Sequence, residues 1–206
     1  AWVHVDAALA GTAALVPEHR WIHDGLELAD SYVMNPHKWM LTTFDASAFW
    51  VADRAPLIGA LSVLPEYLRN EASEAGAVID YRDWQIPLGR RFRALKLWFV
   101  IRSFGAEGLR DMVRRHLELT DRFDQWVRHS EAYAIAAPTT VNLVCFRHLG
   151  GEVDGRRVME AINAGGEAYL THTVVDDEFI LRVAIGAERT EQRHIDRLCE
   201  LLAALA

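Results

Sequence analysis

Lys38 has the most chemistry to offer. It stands in Asn35-Pro-His-Lys-Trp39, just past the apolar run 31–34 and beside a tryptophan. Desolvation at such a place disfavours the ammonium form, and the neutral amine is a nucleophile able to form a Schiff base with a carbonyl compound. Taken alone, the position suits an exposed loop lysine at least as well. Asp6 is the second candidate, because it interrupts the apolar run 2–10. A carboxylate in an apolar strand is costly unless it is paired or hydrogen-bonded, so a cationic group is expected to face it. A structural pair with an arginine or histidine would meet that requirement equally.

The elements that must position these two residues follow from apolar spacing. Residues 2–10 begin as a buried strand, 31–34 form a second that stops at Asn35-Pro36, and 46–52 are the richest in strand formers. Between the first two, Trp21, Ile22, Leu26 and Ala29 fall at helical spacing after Pro17, with Gly25 as an interruption. Strand, helix and strand over about 30 residues is the pattern of a βαβ unit in a parallel sheet. Ligands of such sheets bind outside the carboxyl ends of the strands, where Asp6 and Lys38 both fall.

Residues 59–85 lose this periodicity and read as a long loop, expected to be poorly ordered between 61 and 77. Helical spacing returns over 90–104, Gly105 is a stop signal, and a longer helix is predicted over about 107–129. The remainder predicts a strand near 141–147, a helix near 154–164, strands near 168–174 and 178–186, and a last helix capped by Thr190. This divides the chain into 1–95 and 96–206. Arg90-Arg-Phe-Arg93 reads as the polar face of a helix rather than an anion site. Arg182, inside an apolar strand, is expected to pair with a carboxylate, and His172 and the other histidines lack metal-ligand spacing.

Composition narrows the classes. The 206 residues are 51% hydrophobic and 25% charged, with a net charge of −7, as in ordinary globular chains. An acidic balance without a basic patch argues against nucleic acid or an anionic membrane as partner, and no apolar run is long enough for a membrane span. Two cysteines make no disulfide framework, which suits a reducing cytoplasm. The chain begins with Ala1 and enters a strand at once, so its start is expected to be a cut.

Four ordered motifs carry a specific resemblance: His4-Val-Asp-Ala-Ala8, Asn35-Pro-His-Lys-Trp39, Phe44-Asp-Ala-Ser47 and Asp83-Trp-Gln-Ile-Pro-Leu-Gly-Arg-Arg-Phe-Arg93. With Phe179-Ile-Leu-Arg-Val-Ala-Ile-Gly186 near the end, the chain resembles the group II pyridoxal-phosphate decarboxylases, specifically the aromatic-L-amino-acid decarboxylases, throughout its length. The resemblance implies an α/β, fold-type I architecture: the end of the large cofactor-binding domain, then a small α+β domain. It implies pyridoxal 5′-phosphate as cofactor, Lys38 as the Schiff-base lysine and Asp6 as partner of the pyridine nitrogen. Ala8 then packs by the ring, while Asn35 and His37 lie near the phosphate. Asn35 before Pro36 also suits a plain turn, and His37 is otherwise simply the neighbour of Lys38. Tyr67 matches a mobile-loop tyrosine that protonates the substrate Cα, or else an anchor for that loop. Gly89 matches a position lining the pocket for the substrate's aromatic ring, or else serves backbone fit. The implied reaction is decarboxylation of an aromatic L-amino acid by a cytoplasmic homodimer that includes an amino-terminal half absent here. Rivals are glutamate- or histidine-type decarboxylases, the oxidative aldehyde synthases, and a non-catalytic dimerisation module; Tyr67 favours simple decarboxylation.

Overall fold

The structure, a computed structural model, describes residues 1–62 and 77–206. Its first sheet is built on β1 (His4–Asp6) and β2 (Ser31–Met34), which pair in parallel with Val5 opposite Tyr32 and Asp6 opposite Val33. Parallel neighbours finish at one edge, so the chain beyond Asp6 and the chain beyond Met34 emerge side by side. Hydrogen bonds from Ala7 N to Val33 O and from Asn35 N to Ala8 O, both 3.0 Å, extend the pairing past the strands.

The connection expected as a helix over 17–29 is three 3-10 segments instead: Ala10–Leu15, Pro17–His23 and Leu26–Leu28. Pro17 opens the second, Asp24 leaves it extended, and Gly25 at φ 83° turns the chain into the third. The first segment lies directly on β2. A Cβ at Gly11 would collide with Tyr32 Oη and come within 3.0 Å of Met34 Cγ. The parallel pairing expected of the first two strands holds, but the sheet is mixed, because β3 (Ala48–Val51) runs antiparallel to β2, with Tyr32 opposite Trp50. The link 35–47 holds turns and loop but no crossover helix, so the chain returns along its own neighbour.

Part of the predicted loop is ordered structure. α1 (Arg54–Leu61) is capped by Asp53, whose carboxylate accepts the Ala55 N–H at 2.9 Å, and Tyr81–Trp84 form a 3-10 turn. α2 (Arg93–Arg128) contains both predicted helical stretches, broken at Gly105 with φ 67° and ψ 171°. It begins at Arg93, so Arg90, Arg91 and Phe92 lie outside the helix.

The second sheet has the order β4-β5-β7-β6, all antiparallel. Its strands are β4 (Tyr133–Ile135), which sequence periodicity missed, β5 (Leu143–His148), β6 (Thr171–Val175) and β7 (Glu178–Ala184). Asp176 and Asp177, at φ 50° and 61°, join β6 to β7 in the conformation of a type I′ hairpin. α3 (Glu152–Gly165), α4 (Gln192–Ala204) and the second stretch of α2 close the core around Phe123, Phe146, Leu181 and Leu202. The α4 cap is Glu191, in a reciprocal capping box with His194, rather than Thr190. Arg182 alternates onto the face of β7 opposite Leu181 and Val183 and makes no ion pair among the described residues. The His172 ring stacks on Phe179 at 4.7 Å.

A smaller cluster joins the two sheets. Trp39 packs there with Ala13 and Val16 from the crossover and with Met112 and Val113 of α2. Large apolar side chains remain exposed at the surface of the described residues. Trp50, Ile86, Phe92, Trp98 and Phe99 stand in that surface. No described helix is long and apolar enough to cross a membrane.

Two glycines should therefore respond oppositely to alanine. Gly11→Ala should cost about 1–3 kcal/mol by overpacking against β2. Gly59→Ala, inside α1 with nothing within 4 Å of the new carbon, should gain about 0.5–1 kcal/mol. Urea midpoints of the two variants check this; equal shifts would contradict the close seating of Gly11.

Candidate active site

At the carboxyl end of β1, the Asp6 side chain is exposed and accepts the Ala8 N–H at 3.0 Å. This turn holds the carboxylate in place at the strand end. The cation expected to face it is not found among the described residues, since Asp6 projects from the sheet edge rather than into a core. Ala8 beside it is buried.

Lys38 lies in the turn 36–39 that follows β2, its N–H bonded to Asn35 O at 2.9 Å. The burial expected from the neighbouring tryptophan is not found among the described residues. Lys38 is exposed, whereas Trp39 is fully buried and donates its indole N–H to His116 Nδ1 at 2.9 Å. The aromatic ring thus anchors the turn from beneath and leaves the amine outside. Among the described residues Lys38 makes no ion pair.

The loop 44–47 is tied back to this turn. Ser47 donates its hydroxyl to Asn35 Oδ1 at 2.5 Å, and His37 Nδ1 lies 2.7 Å from Ala46 O and 3.1 Å from Ala46 N. The His37 ring meets Phe44 edge-on at 5.0 Å. Asp45 then gathers Arg91 at 2.7 Å and Arg93 at 2.9 Å, with Lys96 at 4.0 Å. The arginine run read as a helix face is therefore a clamp holding 89–93 over the loop. Hydrogen bonding from Arg93 holds the Asp45 carboxyl down at about 2, with the nearby arginine charges helping and partial desolvation opposing.

Between clamp and turn opens a cleft of about 610 Å³ lined by His37, Phe44, Asp45, Ser47, Gly89 and Arg90, among others. A Cβ at Gly89 would meet nothing within 4 Å. The structure thus brings Asn35, His37 and Lys38 onto one turn, sets Asp6 and Ala8 on the adjoining strand end, and places Gly89 across the cleft. Tyr67 lies outside the described residues. Sequence reasoning missed the roles of Asp45 and His116. Asp45 was visible only as part of a motif, but His116 carried a signal, a histidine on the apolar stripe of Leu109, Met112 and Val113.

Residues 1–149 match the pyridoxal-dependent decarboxylase conserved domain. The chain belongs to the pyridoxal-dependent decarboxylases. It is 46% identical to tryptophan decarboxylase 2 of Oryza sativa subsp. japonica, over 98% of this chain and 42% of that protein. It is 45% identical to a phenylacetaldehyde synthase of Arabidopsis thaliana, over 98% of this chain and 42% of that protein. The structure of Oryza sativa TDC with PLP and tryptamine superimposes with a TM-score of 0.91 at 40% identity, over 100% of this chain and 44% of that one. The fold is accordingly the fold-type I α/β architecture, and the chain spans about two fifths of these relatives' length.

The clamp has a defined pH dependence. The Asp45 carboxyl is lowered from 3.8 to about 2 in the folded chain, so its stabilising contribution is fully present above about pH 4 and is lost as pH falls toward 2. The stability difference between the native sequence and Asp45→Asn should follow that course in denaturant titrations. A difference constant from pH 6 to pH 2 would contradict the clamp.

Proposed function

We propose that this chain is the carboxyl-terminal part of an enzyme that converts an aromatic L-amino acid to its amine and CO₂. One observation carries the reading. Lys38, exposed and without an ion pair among the described residues, sits at the same sheet edge as the exposed carboxylate of Asp6.

These residues fit pyridoxal 5′-phosphate. A lysine uncommitted among the described residues suits an aldehyde, and a carboxylate whose one partner there is a backbone N–H suits a protonated pyridine nitrogen. Bound there, the cofactor supplies an electron sink for the pair left at Cα when CO₂ departs. Lys38 would hold it covalently, Asp6 would keep its ring nitrogen protonated, and Ala8 would pack beside the ring. Asn35 and His37, fixed by Ser47 and Ala46, would stand near the phosphate. Tyr67 would deliver the proton to Cα, and Gly89 would leave room for the substrate ring. Metal ions have no place in this scheme.

The division into 1–95 and 96–206, the homodimer and the cytoplasmic location belong to the same proposal. So does an amino-terminal half, which the uncovered length of the relatives and the exposed apolar side chains such as Ile86, Phe92 and Phe99 both support. A cytoplasmic setting suits Cys145 and Cys199, which are unbonded.

Borohydride reduction of the full-length protein followed by peptide mapping should find the pyridoxyl adduct on Lys38. An adduct on Lys96, the other lysine of the chain, would end this reading. Tyr67→Phe distinguishes the amine-forming reaction from the one in the name of the Arabidopsis relative. With the proton donor gone, the electron pair left at Cα would be open to oxidation by O₂, giving aldehyde, ammonia and hydrogen peroxide in place of amine. Undiminished amine without aldehyde would reduce Tyr67 to an anchor.

A further inference from the structure

The most deeply buried titratable group of the described chain is unused by the reading above. His116, in the second stretch of α2, is fully buried, and its Nδ1 receives the Trp39 indole N–H at 2.9 Å across 77 residues of sequence. An indole nitrogen only donates, so Nδ1 must be the acceptor and the imidazole proton must sit on Nε2. Nε2 is buried near the Ala187 backbone without a closed hydrogen bond. Burial lowers the imidazole to about 4, the Arg115 charge adding to the effect, so the ring stays neutral and Nδ1 remains available. The two rings lie nearly parallel, 16° apart.

The turn above is tied to loop 44–47 on its other side, where His37 bonds Ala46 and Ser47 bonds Asn35. Its backbone bonds include Lys38 N to Asn35 O, His37 N to Ala46 O and Thr42 N to Pro36 O, and its exit passes through Leu41 at φ 54°, a left-handed conformation unfavourable to leucine. Leu41 keeps that conformation while packing against the cluster that contains Trp39. The direction in which Lys38 leaves the turn is therefore set by how the next residue is seated.

Granting Lys38 its cofactor-holding role, we infer that His116 is a positioning residue for Lys38, acting through the Trp39 indole to fix the turn that presents the amine. A histidine that merely fills the core would matter for stability and leave the lysine's behaviour unchanged.

The test uses full-length protein and three variants. His116→Leu removes the acceptor, His116→Asn places Oδ1 near the position of Nδ1, and Trp39→Phe removes the donor while keeping an aromatic ring. The readouts are pyridoxal-phosphate affinity by absorbance titration, the borohydride-fixed yield on Lys38 by mass spectrometry, and the thermal midpoint without cofactor. His116→Leu should weaken affinity about tenfold and lower the fixed yield, with His116→Asn within about threefold of the native sequence. Trp39→Phe should reproduce the loss, and adding His116→Leu to it should cost nothing further in affinity. Should His116→Leu fail to fold, the Trp39→Phe and His116→Asn results decide alone. Native affinity and fixed yield in His116→Leu or Trp39→Phe would overturn the inference while leaving Lys38 in its role. So would an affinity loss in His116→Asn as large as that of Trp39→Phe. An adduct on Lys96 in the native sequence would overturn both.

Discussion

An indole taken out of water keeps one demand, a partner for its N–H, and an unpaired donor there costs about 1–3 kcal/mol. Trp39 meets that demand at His116 while its ring fills the space between the crossover and α2. Truncating a buried tryptophan costs about 3–5 kcal/mol, against about 1 kcal/mol for a typical turn hydrogen bond. The ring is therefore the largest single contribution to where 36–39 sits, and the bonds to Asn35, Pro36 and Ala46 add to it. Beyond the ring, a Cβ at Gly186 would lie 3.5 Å from Trp39 Cδ1, so the end of the second sheet closes on the same side chain. Both halves of the chain meet at Trp39, and Lys38 stays outside because its neighbour is inside.

Much of this was legible in the sequence where the signal was local. The strands that lead to Asp6 and Lys38, the Gly105 break and the helices of the second half all follow from apolar spacing and its interruptions. The 3-10 character of the crossover was not, because over so few turns the apolar positions of 3-10 and α segments nearly coincide. Nor was the direction of β3, since period-two alternation is the same whichever way a strand runs. β4, three residues long with Ala134 at its centre, offers too short a pattern to stand out.

The site divides along the same line. The motif around Lys38 announced a nucleophile, but the desolvation credited to Trp39 assumed that neighbours in sequence share an environment, and here they face opposite ways. Asp45 meets Arg91 and Arg93 across 46 and 48 residues. Read locally, that charge run was a solvated helix face; in space it is one wall of the cleft. His116 shows how far sequence reasoning reaches. Its place on an apolar stripe demands a polar partner, yet only the fold names Trp39 as that partner.

Substrate choice, under the proposed reading, follows from what Gly89 omits. Discrimination between ligands is a difference of affinities, and against a larger ring it needs a clash. Gly89 supplies none, because the space where a side chain would begin is open. An extra methylene in a filled apolar pocket changes binding by only about 1–3 kcal/mol, and an unfilled one changes it less. The part of the cleft that Gly89 faces must therefore be bounded by atoms from elsewhere before ring size can matter. The described chain positions the amine, the carboxylate and one open wall. Under that reading, the choice between an indole and a phenol rests on the atoms that bound the cleft across from this open wall.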